Sequence, residues 1–289
     1  MPSMLLWLAR HRMVHLTIGL SYYLLAVLPH EWMGKWIYAT FFPGDIDTYN
    51  LRFLSMAVLA AFFCLIPLLF NLLRYKEGRN ITIGYLLLTL TLMMLAYFSI
   101  FVLATELVHF PQYAILAILL FPLSWRYGDT LFWATLLGAL DEAYQYFYLA
   151  PDRTDYYDFN DVVINFLGAA LGLVFLRSFA GCWPSPSRRS WQQSPVLWTG
   201  AALILLIVTA IGSGWLSVYP GESSTETGFL LVRKMPEAFW SQFHHIRYHV
   251  VLPEEGLLLL GILFLGYSGL GGIRRPKYFT PKENKSGSL

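Results

Sequence analysis

The stretch from Asp141 to Gly172, DEAYQYFYLAPDRTDYYDFNDVVINFLGAALG, decides how the rest of the chain is read. It sets six carboxylates, an arginine, a glutamine and two asparagines into otherwise apolar sequence. An acidic side chain at the centre of a membrane helix costs about 2.5 to 3.5 kcal/mol on insertion scales, so charges placed there imply pairing or function. On the helix expected before the loop, Gly138, Asp141 or Glu142, and Gln145 recur at three- and four-residue spacing and share a face. On the helix after it, Asp158, Asp161, Asn165, Gly168 and Gly172 do the same, polar at one end and small at the other. Gly168-x-x-x-Gly172 lets two backbones approach closely, with Gly138 opposite, so these two helices are expected to pack as a tight antiparallel hairpin. Arg153 in the connecting loop would hang between Asp141, Glu142 and Asp158.

The surrounding chain fits a bilayer. Of its 289 residues 56% are hydrophobic and 13% charged, where about a quarter are charged in an ordinary soluble domain. Runs long enough for a hydrocarbon core, which takes about 20 residues, occur at Met13–Leu28, Leu51–Leu73, Ile81–Ala104, Leu107–Leu123, Thr130–Leu149, Asp158–Phe179, Val196–Val218 and Val250–Gly269. The expected fold is all-α: a polytopic transmembrane helix bundle of eight spans. Arg10 and Arg12 precede the first run with no small-residue cleavage site after it, as in an uncleaved anchor.

With the N-terminus cytoplasmic, fourteen of the twenty lysines and arginines fall on the cytoplasmic side, as the positive-inside rule requires. Both termini are then cytoplasmic, in an inner (cytoplasmic) membrane. Only Glu77, Asp129 and Glu283 of the eighteen acids share that side, so the polar stretch faces outward. A net charge of +2 gives no argument for nucleic acid. Cys64 in a helix and Cys182 in a linker predict no disulfide.

The loop at 74–80 and the Pro/Ser/Arg-rich segment at 181–195 divide the chain. The pieces are a two-helix N-terminal segment (1–80), a four-helix core (81–180), the cytoplasmic linker (181–195), a two-helix C-terminal segment (196–270) and a tail (271–289) expected to be disordered. His30–Asn50 and Met235–His249, both rich in aromatics, are expected to lie at the membrane interface.

A corner of the site comes from the junction of the third and fourth runs. Glu106 and His109 stand there, Pro111 opens the fourth helix, and His109 and Tyr113 share a face. TELVHFPQYAILAILL, followed by LLGALDEAYQYFYLAPDRTDYYDFNDVVINFLGAALGLVF, resembles the VanZ-like membrane family. The likeness is a His-x-x-x-Tyr segment, a Glu-x-x-Gln helix, an Arg-containing loop, and an Asp-x-x-x-Asn helix leading into Gly-x-x-x-Gly. It covers roughly Glu106 to Leu176, about a quarter of the chain. By match of motif, the family's polar residues carry to His109, Tyr113, Glu142, Gln145, Arg153, Asp158, Asp161, Asn165 and Gly168. The resemblance implies a role in the cell envelope and in resistance to the glycopeptide teicoplanin, whose target lies outside the cytoplasmic membrane.

Several readings of the cluster stay open on sequence alone. Asp158 and Asp161 can simply cap a helix start. Glu142, about two turns from a helix end, needs a partner such as Arg153, Gln145 or His109, and a Glu/Arg/Asp network can merely hold helices together. The same residues can instead form a site in which Arg153, Gln145, Tyr113, Asp161 and Asn165 hold an anionic headgroup. Glu142, His109 and Asp158 then act as acid or base. The partner would be a membrane lipid or lipid-linked envelope precursor. Alternatives are a proton-coupled transporter and a non-catalytic scaffold.

No cofactor or bound metal is expected. The weak exception is FHHIRYHVVLPEEG, where His244, His245 and His249 cluster and His245 and His249 would lie one helical turn apart. The absence of a Gly-rich phosphate loop, a Gly-x-Ser-x-Gly elbow or a Cys-x-x-Cys pair argues against nucleotide-driven or serine-hydrolase chemistry.

Overall fold

The structure is a computed structural model that describes residues 2–29, 32, 34–36, 39, 45–74, 78–149, 151, 155–179, 193–220 and 228–271. Each apolar run is helical over most of its described length, as it must be where no water can satisfy the backbone. The helices are α1 (Pro2–Arg10), α2 (Arg12–Tyr22), α3 (Ile46–Arg74), α4 (Arg79–Ser99), α5 (His109–Ser124), α6 (Tyr127–Tyr144), α7 (Phe159–Arg177), α8 (Pro195–Gly212) and α9 (Pro253–Tyr267). Six are long and apolar enough to cross a membrane, α5 and α9 together with the 3-10 turns Ala104–Val108 and Ser268–Gly271 that adjoin them. The other two runs fall short for visible reasons. Arg12–Val27 is short, and α6 carries Asp129, Asp141 and Glu142 in eighteen residues.

α7 is the axis of the bundle. Within its apolar window 78% of residues are buried, against none for α8 and 6% for α3. Such an all-round apolar helix belongs in the middle of a bundle, whereas α3 and α8 present Leu, Ile, Val and Phe outward, as lipid contact demands. Small residues allow this crowding. A Cβ on Gly168 would stand 2.8 Å from the Phe110 carbonyl oxygen, and one on Gly172 would collide with the backbone of Ala114. The close approach is therefore with α5, the helix of His109. The expected glycine seam between α6 and α7 is corrected here. Gly138 of α6 instead makes room for the Asn165 side chain of α7 and the Tyr113 ring of α5.

Both ends of the bundle are tied by buried polar groups. At one end, Arg177 at the close of α7 donates to the Leu270 carbonyl after α9 and lies beside Gly78 at the start of α4. At the other, the Asn160 amide donates to the carbonyls of Ile100 and His249, both at 2.9 Å, and its Oδ1 accepts from Val251 N at 2.7 Å. One side chain thus joins the end of α4, the start of α7 and the start of α9. Pro195 and Pro253 open α8 and α9, where a missing amide hydrogen costs nothing. Asp45 caps α3 through Thr48 N at 2.8 Å, and that hydrogen bond holds its carboxyl below the usual range.

The segment at 235–249, expected to lie as an interfacial stretch, contains a two-stranded antiparallel hairpin. It is formed by β3 (Ser241–Phe243) and β4 (Ile246–Tyr248), with His244 in its turn at φ 53°. A two-residue parallel pairing joins β1 (Leu216–Ser217) to β2 (Phe229–Leu230), and Tyr156 bridges Val232. These are small departures from the all-helical expectation. About half of the segment expected at 30–50, the linker from 181 to 192 with Cys182, and all but the first residue of the tail at 271–289 lie outside the described residues.

Candidate functional site

Side chains from α5, α6 and α7 converge at the end of the bundle that holds Asn160. His109 opens α5, Asp141 and Glu142 lie in the last turn of α6, and Asp161 and Asn165 occupy the first two turns of α7. The α6 helix then widens into a π turn, Gln145–Leu149. Such a turn offsets the face of a helix and is frequent near functional residues. Gln145, its first residue, turns back and donates through Nε2 to Glu142 Oε1 at 3.3 Å.

Hydrogen bonds fix the orientation of the cluster. His109 Nδ1–H donates to Asn165 Oδ1 at 2.7 Å, which sets the tautomer and turns Nε2 toward Asp161 Oδ2, 3.6 Å away. One ligand atom from each of His109, Glu142 and Asp161 can be chosen so that all three lie within 4.8 Å of one another. One turn along α5, the Tyr113 ring lies nearly parallel to that of His109, and its hydroxyl donates to Asp141 Oδ2 at 3.2 Å. Asn165 Nδ2 sits beside Glu142 and makes no hydrogen bond of ordinary geometry among the described residues.

The group is enclosed. His109, Tyr113, Asp141, Glu142 and Asn165 are buried, and Asp161 keeps 17% of its side chain exposed. Neither Glu142 nor Asp161 forms an ion pair with a lysine or arginine among the described residues. Buried carboxylates in this setting are expensive unless something offsets them.

The residues picked out in the sequence divide as follows. His109, Tyr113, Glu142, Gln145, Asp161 and Asn165 come together. Asp158 stands at the edge as the cap of α7, accepting from Asp161 N at 3.2 Å, so the capping role expected for it is realised. Arg153 lies outside the described residues. Gly138, Gly168 and Gly172 act in packing. Glu106 is occupied close by, accepting from Val102 N and Leu103 N at 3.1 and 3.0 Å, and so caps the turn before α5.

The histidines at 244–249 are not a helical ligand pair. They sit on a hairpin, where His245 Nε2 meets Asp47 Oδ1 at 3.1 Å and His249 Nε2 meets Glu255 Oε2 at 3.0 Å. The helical spacing inferred for them is corrected: His245 lies in the hairpin turn and His249 just past β4, and an extended strand sets residues four apart about 13 Å from each other instead of one helical turn.

Two further residues matter that the sequence did not single out. Asn160 is the bracket described above. An asparagine in the first helical turn, two residues after the Asp158 cap, was the available signal. Arg233 lies with its guanidinium 4.1 Å from the centre of the Tyr146 ring and donates to the Pro151 carbonyl, beside the loop that contains Arg153. Its sequence neighbourhood carried no signal, because its contacts lie about eighty residues away. At the same rim, burial and the nearby Asp158 push the Tyr156 phenol up.

On the other face of α5, an apolar groove of about 310 Å³ runs between α2, α3 and α5, lined by residues that include Tyr22, Phe53, Val108, Pro111 and Ile115. No protein-family model, curated protein or solved structure matches the chain.

Proposed function

We propose that this chain is a VanZ-like integral membrane protein of the cell envelope that crosses the inner membrane eight times with both termini cytoplasmic. In this reading its buried cluster binds or modifies an anionic lipid-linked or surface precursor at the outer leaflet and thereby alters glycopeptide sensitivity. The observation that carries the reading is the convergence of His109, Glu142, Asp161 and Asn165. These four positions of the VanZ-like pattern lie 56 residues apart at the extremes and come from three helices, yet they share one enclosed polar centre. A network serving only to hold helices together has no need of so many acids in a buried place, when apolar contacts of the same volume are as good or better.

The setting supports a lipid-linked ligand. The polar centre and the apolar groove flank the same turn of α5, with Val108 and Pro111 on one side and His109 on the other. A chain lying in the groove would run beside the turn of α5 that carries His109. The rule that basic residues stay inside assigns this end to the outer face.

A binding measurement tests the proposal. Protein in nanodiscs is exposed to a photo-crosslinkable phosphate-headed lipid and to its neutral-headed counterpart. Preferential labelling by the phosphate lipid, at least tenfold reduced in Glu142→Gln and Asp161→Asn, is expected. Equal labelling by both lipids, or labelling unaffected by either substitution, would overturn the reading.

A further inference from the structure

We propose that His109 Nε2, Glu142 and Asp161 form a binding site for one borderline divalent cation, of the Zn²⁺ or Mn²⁺ kind. The inference concerns the same cluster, rests on its donor geometry, hydrogen bonding and charge, and is tested separately from the envelope-precursor reading.

Three features of the geometry point to a cation. The first is convergence: each ligand comes from a different helix, α5, α6 or α7, and the three donor atoms already lie within 4.8 Å of one another. Donors about 2.0 to 2.1 Å from a tetrahedral ion stand about 3.4 Å apart. The 3.6 Å between His109 Nε2 and Asp161 Oδ2 is close to that value, and Glu142 has only a short distance to close.

The second is the state of the imidazole. Asn165 Oδ1 accepts from Nδ1 at 2.7 Å, so Nε2 turns its lone pair toward two carboxylates. Metal-bound histidines are held this way, with the far ring nitrogen donating to an oxygen that fixes tautomer and ring angle.

The third is charge. Glu142 and Asp161 form no ion pair with a lysine or arginine among the described residues. A divalent ion would neutralise both at once and would be the largest local charge of the site. It would also give an acidic cluster the positive centre that an anionic oxygen requires.

The donor set selects the ion. One imidazole with two carboxylates suits Zn²⁺ or Mn²⁺, whereas all-oxygen cages suit Ca²⁺ and Mg²⁺ and sulfur ligands suit Cu(I). Three protein ligands leave a coordination position open, as in catalytic rather than structural zinc sites. Asn165 Nδ2, buried beside Glu142 without a hydrogen bond of ordinary geometry, is placed to donate to a water or an anionic oxygen in that position.

The test uses the full chain purified in detergent, stripped with a chelator, reloaded with ZnCl₂ or MnCl₂ and desalted before its metal content is measured. About one ion per chain is expected. His109→Ala and Glu142→Gln should abolish stoichiometric retention, and Asn165→Ala should weaken affinity by about 10- to 100-fold, the usual effect of losing a group that braces a ligand. Glu255→Gln, which alters the His249 pair and the cap on Leu252 N but none of the three proposed ligands, should leave the stoichiometry unchanged and so excludes the hairpin histidines. Because a core variant can misfold, Co²⁺ loading of the unsubstituted protein is measured as well, and visible d–d absorption of a four- or five-coordinate ion is expected. Failure of the unsubstituted protein to retain metal, absence of the Co²⁺ bands, or equal affinity in Glu142→Gln would overturn the proposal, whatever the lipid experiment shows.

Discussion

Gly172 shows how little room the centre of this molecule has. Its α-carbon faces the backbone of Ala114, and a Cβ there meets the Ala114 carbonyl oxygen. Overfilling a packed core costs about 1 to 3 kcal/mol, occasionally more. Gly172→Ala should therefore lower the unfolding midpoint in detergent, and Gly172→Leu should prevent α5 and α7 from docking. Gly200, on the outward-facing α8 with nothing near its Cβ position, supplies the control, since Gly200→Ala should change stability by no more than about 0.5 kcal/mol. The sequence spoke clearly at this scale, but only in part. A Gly-x-x-x-Gly stripe announces a close approach; a glycine has no side chain with which to specify the neighbour, and the partner proved to be α5 rather than α6. Asn165 was legible as a polar residue on the right face, while its bond to His109 spans 56 residues and no local pattern encodes it.

At the level of elements, the hairpin β3–β4 is held to the helices through very few groups. His249 N donates to Ser99 O at 2.6 Å, and Asn160 grips the His249 carbonyl and the Val251 amide. Removing a side chain that leaves buried partners unsatisfied costs about 1 to 3 kcal/mol. Asn160→Ala should accordingly speed hydrogen exchange in residues 241–252 while leaving the middle of α7 protected; unchanged exchange in the hairpin would show that Asn160 is not its anchor. The helices themselves were readable because long apolar runs in a bilayer have no alternative to helix. The hairpin was not, since aromatic and basic residues mixed over fifteen positions suit an interfacial helix and a short ladder equally well. The π turn at Gln145 was likewise hidden, because it follows from packing rather than from composition.

For the whole molecule, the charge distribution makes the prediction. Arg177, Gly78 and Leu270 gather at one end of the bundle, and Asn160, His109 and the acids at the other. Basic residues favour the cytoplasmic side, so in a variant with Cys64 and Cys182 replaced by serine, Asp155→Cys should react with a membrane-impermeant maleimide added outside intact cells. Gly128→Cys should react only after the membrane is opened. The reverse pattern would turn the cluster inward and remove it from the outer leaflet.

The central claim is that the buried group of His109, Glu142 and Asp161 is a site for ligands and not a fastening between helices. Growth of a glycopeptide-sensitive host in teicoplanin, with the unsubstituted chain or with Glu142→Gln inserted at equal level and with the same unfolding midpoint, tests it most directly. The account predicts that the unsubstituted chain raises tolerance and that the folded Glu142→Gln variant does not. Equal tolerance from both would contradict it.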